Sequence, residues 1–198
     1  MGYEKGIVDD LLEEATRCGR KALKIDINCQ HAYQTLGLAY LFQQNKQETL
    51  KVINDWQKIK QGAAGIMGGM GFCLICCGEY EKGIKMMEES IQLNPYYQWW
   101  FNGGFSFYYY KQEAFEDAIY WAEKMNLPHV PWESLVKTAA FAELDRMEEA
   151  RRCEAQLQER FPFLNELLEP YLNAFIQDKA LTNKIKRAIL KTRDSNGH

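Results

Sequence analysis

The amino-acid sequence predicts an all-α protein: a right-handed α-α superhelix, a solenoid of helix pairs with a C-terminal capping helical segment. Three observations predict it. A helix-pair pattern returns about every 34 residues, small residues recur at fixed places within the copies, and prolines fall at copy boundaries.

Composition permits this and excludes alternatives. The 198 residues are 46% hydrophobic and 26% charged, enough apolar surface for a continuous core and too little polar low-complexity sequence for disorder. The chain is expected to be one domain overall. Residues 1–29 form a leading helix, 30–162 four helix pairs, and 163–198 the capping helices. The net charge of −3 and pI near 5.7 give no overall positive field for phosphates, so nucleic acid is not an expected ligand of the body. No run approaches the roughly 20 apolar residues that span a bilayer. The opening MGYEKGIVDD lacks the basic and apolar regions of a signal peptide. A soluble, cytoplasmic protein is the expectation, with no membrane partner. Cys18, Cys29, Cys73, Cys76, Cys77 and Cys153 show no disulfide framework and read as reduced thiols.

The leading helix covers Asp9 to Ile25. Leu12, Ala15, Ala22 and Leu23 recur on one face, and Asp26-Ile27-Asn28 ends it. The first pair runs from Gln30 to Gly62, with Leu36, Gly37 and Tyr40 in one helix and Leu50 and Ile53 in the next. The second carries Gly71, Gly78 before the turn, Gly83 and Ser90, closing at Pro95. The third has Ser106, Tyr109, Ala118 and Ala122 and ends near Pro128. The fourth has Ala140, Phe141, a turn through Leu144 to Ala150, and Pro162. Gly37, Gly71, Ser106, Gly83, Ala118 and Ala150 stand where paired helices cross, because only a small side chain lets backbones nest at about 8–10 Å. Pro95, Pro128 and Pro162 stop helices by removing an amide donor and restricting the residue before them. After Pro162, Leu164 to Ile176 and Leu181 to Leu190 form two more helices, which would cover the apolar face left at the end of a solenoid.

Residues 30 to 162 resemble the tetratricopeptide repeat family, whose pattern is a small residue and an aromatic in the first helix, an alanine early in the second, and a terminal proline. Thr49 stands where the first copy would have alanine and Gln61 where it would have proline, and the third copy carries extra residues around Tyr108 to Tyr110. The opening helix ending in Leu23-Lys24-Ile25-Asp26, the divergent copies and the helical tail also look like the helical C-terminal halves of some bacterial adenylate-cyclase-like and transcription-regulator-like proteins. That likeness implies an effector domain upstream and a self-associating or small-ligand-sensing half here.

In the repeat family the first helices line a concave docking groove. Carried onto this sequence, the groove positions are His31, Gln34, Leu38, Leu41 and Phe42; Gly65, Gly68, Phe72, Ile75 and Cys76; Trp100, Gly103, Phe107, Tyr110 and Lys111; and Trp132, Leu135, Ala139, Ala142 and Glu143. The resemblance thus implies a scaffold for a protein or peptide partner, with an apolar and aromatic wall. Lys111 is its one cation, so a clamp on a peptide carboxylate, as in chaperone-binding members, is not expected. Such a wall does not stay wet on a monomer. The chain's own tail, a second copy in a homodimer, a partner's amphipathic helix or extended peptide, or a small apolar ligand would fill it. On that reading Trp100→Ala or Phe107→Ala weakens association and leaves helicity intact.

The run Gly62 to Gly71 lacks the spacing of a dinucleotide fingerprint, since Leu74 stands where the third glycine should. Gly78 to Lys85 puts Ile84 at the lysine of a phosphate loop. The run from Gly62 to Gly71 reads instead as a helix reduced to backbone where neighbours or a ligand come close, and no cofactor is expected. Cys73, Cys76 and Cys77 have no second ligand pair for zinc and read as small buried hydrophobes; no metal is expected. With His31, His129 and His198 as its only histidines and no nucleophile motif, the chain is not expected to be an enzyme. The basic tail of Lys184, Lys186, Arg187, Lys191 and Arg193 reads as the wet, dipole-compensating end of a terminal helix, with an anionic surface as the alternative.

Overall fold

The computed structural model describes residues 5–59, 63–127 and 129–194. Gln61, Gly62, Pro128 and His198, all singled out above, lie outside the described residues, as do the first four residues of the opening segment. The described residues form eleven α-helices and no strand. They fall into two compact units, one ending at Tyr97 and one beginning at Gln98.

The first unit holds α1 (Lys5–Ile25), α2 (Gln30–Phe42), α3 (Lys46–Gln57), α4 (Ala64–Cys76) and α5 (Tyr80–Leu93). α1 packs on α2 through the predicted face, and it closes most tightly at Gly19, where a Cβ would come within 2.7 Å of Leu36 Cγ. The α4–α5 crossing is closer still. A Cβ on Gly71 would meet the Gly83 carbonyl oxygen at 2.8 Å, and one on Gly83 would meet that of Gly71 at 2.7 Å. Here the two backbones touch, as the spacing of small residues predicts. Gly37 differs: its nearest neighbours are Met70 and Cys73 of α4 at ordinary distances of 3.4 and 3.9 Å, not its own partner helix. Trp56, Leu41, Ile53, Met70, Ile75 and Met87 fill the core of this unit. Burial of each such side chain contributes about 1.5–3 kcal/mol.

The second unit holds α6 (Phe101–Lys111), α7 (Phe115–Glu123), α8 (Trp132–Glu143), α9 (Met147–Arg160), α10 (Leu164–Phe175) and α11 (Lys179–Asp194). Ser106 takes the place of the crossing glycine and satisfies its hydroxyl by donating to the Ala118 carbonyl at 2.9 Å. Asn102 does the same one turn earlier, donating to the Lys124 carbonyl at 2.7 Å. α10 bends at Leu167, whose backbone is non-helical. Pro170 is the cause, for it lacks an amide donor and its ring crowds the carbonyl four residues back. α11 lies on α8 and α9, burying Leu181, Ile185, Ala188 and Ile189 at helical spacing.

All four pairs turn in the same way. The second residue after the first helix is left-handed in each: Gln44 (φ 59°), Gly78 (84°), Glu113 (62°) and Asp145 (57°). In each the next amide reaches back five residues, Asn45 to Tyr40, Glu79 to Leu74, Ala114 to Tyr109 and Arg146 to Phe141, at 2.8–3.0 Å. This is the Schellman C-cap. The residue that caps the first helix also starts the second, because the carbonyls of Asn45, Glu79, Ala114 and Arg146 accept from Thr49, Gly83, Ala118 and Ala150. The turn therefore fixes where the small residue of the second helix falls. Thr49, in place of alanine, is fully buried and returns its hydroxyl to the Asn45 carbonyl at 3.0 Å. The tyrosines at 108–110 leave this register undisturbed.

Candidate functional site

In the first unit four of the five predicted groove positions of α2 keep some exposure, and the fifth, Leu41, is fully buried. His31 is exposed, and Gln34, Leu38 and Phe42 are half-buried. The adjacent helix α4 is helical from Ala64 onward, so its glycine run is no loop. Gly68, Ile75 and Cys76 are buried, and Phe72 is 8% exposed. Gly65 is half-buried with nothing within 4 Å of the place a Cβ would take. Packing does not require glycine at that position.

In the second unit the corresponding residues are largely covered. Gly103, Phe107, Tyr110, Trp132, Leu135, Ala139 and Ala142 are buried, while Trp100 is half-buried and edge-on to Phe101 at 4.7 Å. Much of the cover comes from the chain's own tail. Trp132 meets Phe107 at 5.1 Å on one side and Tyr171 and Phe175 of α10, each at 5.1 Å, on others. Lys111 pairs with Asp178 at 3.4 Å, and Lys184 of α11 stands 5.8 Å above the Tyr110 ring. The Tyr110 hydroxyl donates to Glu143 at 3.3 Å, and burial pushes its ionisation well above the ordinary tyrosine range. Phe107→Ala in this setting opens a core cavity, so loss of packing would accompany any loss of binding.

The same tail uses its charges internally. Lys184 pairs with Glu113 at 2.6 Å, Lys186 with Glu169, Lys191 with Asp145 at 4.0 Å, and Arg193 with Glu154 at 2.6 Å. Arg187, whose Nε donates to the Asn183 carbonyl, lines a cleft of about 510 Å³ with Glu113, Glu143 and Lys191.

The cysteine group on α4 is chemically quiet. Burial raises the thiol ionisations of Cys73 and Cys76 well above their ordinary value and that of Cys77 to about 11. Among the described residues no group of three or more Cys, His, Asp or Glu is placed to hold a metal ion. None of the described helices is long and apolar enough to cross a membrane.

Reading along the sequence missed a cationic cleft in the first unit. Arg17, Arg20, Lys21 and Lys24 line a space of about 410 Å³ beside Gln43. Arg20 is held there by its Nε donating to the Tyr40 hydroxyl at 2.9 Å. These residues fall within two turns of α1, with Glu13 also lining the space, and their spacings of three and four residues were the available signal.

Paired helices of this register, each joined by the same capped turn, define a fold of tetratricopeptide-like helix pairs. No family model and no curated protein matches the chain. Solved structures do. A double mutant of MamA from strain RS-1 is 13% identical, covering 85% of this chain and 96% of its own, with a TM-score of 0.55. MamA residues 41 to the end, from Desulfovibrio magneticus RS-1, match equally well over 97% of that chain. The C-terminal part of a TPR repeat-containing protein from Cytophaga hutchinsonii is 16% identical, covering 98% of this chain and 81% of that one, with a TM-score of 0.54. At such identities the likeness is one of fold.

Proposed function

We propose that the protein is a non-catalytic docking scaffold whose partner, a helix or extended segment of another protein, lies along α2 and α4 of the first unit. The observation carrying this reading is Gly65. A glycine in a helix costs about 1 kcal/mol relative to alanine, and here no neighbour within 4 Å of the missing Cβ demands it. Backbone kept bare beside open space suits close approach by a ligand. On the neighbouring helix α2, Leu38 and Phe42 stand four residues apart and remain half-buried, the arrangement that takes apolar anchors from an amphipathic segment. Corresponding positions in the second unit already hold Tyr171, Phe175 and α11, which favours the first unit as the receiving surface.

Selection of a displayed peptide library on the full chain, then fluorescence-polarisation titration of the recovered peptides, tests this. Gly65→Leu, which fills the shelf, and Leu38→Asp should each weaken binding at least about tenfold with unchanged helical circular dichroism. Peptides that bind both variants as tightly as the wild type would place the docking surface elsewhere.

A further inference from the structure

We infer that the outer face of α1 is a self-docking surface that takes α1 of a second copy in antiparallel orientation. The inference concerns a different surface from the groove and does not depend on it. Leu11, Cys18 and Ile25 are seven residues apart and so lie along one stripe of the helix. All three face away from α2: Leu11 is 65% exposed, Ile25 80%, and the Cys18 thiol is exposed. A single exposed apolar residue is ordinary. A heptad-spaced row along a 21-residue helix is the pattern of a helix-helix seam.

Charge chooses the occupant. The first half of α1 carries Asp9, Asp10, Glu13 and Glu14, and the second half carries Arg17, Arg20, Lys21 and Lys24, all exposed. Of these, Asp10, Glu14, Arg17 and Lys21 flank the stripe at helical spacing, and two acids followed by two bases match themselves when one copy is reversed and repel when the copies run parallel. The helix dipole does not account for the arrangement, because its influence falls off within the first and last turns. Glu13, Glu14 and Arg17 stand about two turns from either end. A two-fold axis beside Cys18 sets Leu11 against Ile25 of the other copy and brings Glu14 next to Lys21, as an isologous contact requires. Glu14 accepts two hydrogen bonds from Arg17 of its own helix.

Sedimentation equilibrium of the full chain at about 20 mM salt, where exposed charges are least screened, tests the inference. The expected result is a dimer that weakens as salt is raised. Glu14→Lys and Lys21→Glu should each weaken it at least about tenfold. Mixing the two single variants, or combining both changes in one chain, should restore it, since each then sets lysine against glutamate. A short bis-maleimide should join two wild-type chains through Cys18, and Cys18→Ser should abolish the product while Cys29→Ser does not. A chain that stays monomeric at all concentrations overturns the inference. So does a dimer indifferent to both charge reversals, or one in which the combined change is no better than the single ones.

Discussion

Arg193 donates from Nε to the Glu154 carboxylate across 2.6 Å, joining the last turn of α11 to the middle of α9. The carboxylate is almost fully buried, at 1% exposure, and Gln158 also donates to it at 2.9 Å. Removing the guanidinium leaves an uncompensated charge in the interior. Arg193→Met should therefore destabilise the protein by about 3–5 kcal/mol, whereas replacing both partners, Arg193→Met with Glu154→Leu, should recover most of the loss. Urea unfolding of the three proteins checks this. Equal losses in the single and double variants would show that the pair contributes packing and not charge compensation.

The left-handed residue in each hairpin turn predicts a stabilising series. A non-glycine residue in this region costs about 1–2 kcal/mol relative to glycine, part of which is returned through the greater freedom of glycine in the unfolded chain. Gln44→Gly should raise stability by about 0.5–1 kcal/mol, and Asp145→Gly by nearly as much, since its contact with Lys191 is long and exposed. Glu113→Gly should gain less, for it forfeits the contact with Lys184. Gly78→Ala should lose about 1 kcal/mol or more. Thermal unfolding midpoints give the order, and a fall in midpoint for Gln44→Gly would contradict it.

The pair register was legible because its causes are local. Small residues at the crossings, polar residues at turns and proline at Pro95 and Pro162 are visible in one dimension, and the small residues so marked do meet, Gly71 with Gly83 and Ser106 with Ala118. The left-handed turns at Gln44, Glu113 and Asp145 were not, since none is the glycine or asparagine that usually marks them. Gly19 looked like any surface residue until α2 lay against it. Burial of Trp132 depends on Tyr171 and Phe175, about 40 residues downstream after a bend at Leu167. Periodicity reports that a residue is apolar, not which distant helix covers it.

The α4–α5 crossing should be the least tolerant point of the first unit. Gly71→Ala and Gly83→Ala each place a methyl within 3 Å of a backbone oxygen, which cannot yield as a side chain can. Each should cost at least about 2–3 kcal/mol. Gly65→Ala, in open space, should be neutral or stabilising. Chemical denaturation of the three variants separates a packing requirement from a surface one.

Trp132 should report the seating of the tail. Trp132→Ala removes contacts with Phe107, Tyr171 and Phe175 together and should cost about 3–5 kcal/mol, with faster amide exchange in α10 and α11 than in α6 and α7. Uniform exchange across the second unit would mean that the ring does not hold the tail.

The thiols predict both a reactivity pattern and a pH limit. Cys18 should react first with a thiol reagent under native conditions and Cys29, half-buried, next, while Cys73, Cys76, Cys77 and Cys153 wait for unfolding. Burial is the main cause of the raised ionisation in Cys73, Cys76, Cys77 and Cys153. In the unfolded chain such thiols lose their protons near pH 9, while in the folded protein they keep them, so the folded state binds more protons above that pH. Stability from this source is complete below about pH 8 and falls as pH rises through 9, continuing for Cys77 until about 11. Urea midpoints measured between pH 7 and 11 should decline on the alkaline side, and Cys77→Ala should flatten part of that decline. A profile that Cys77→Ala leaves unchanged would remove Cys77 from the alkaline loss.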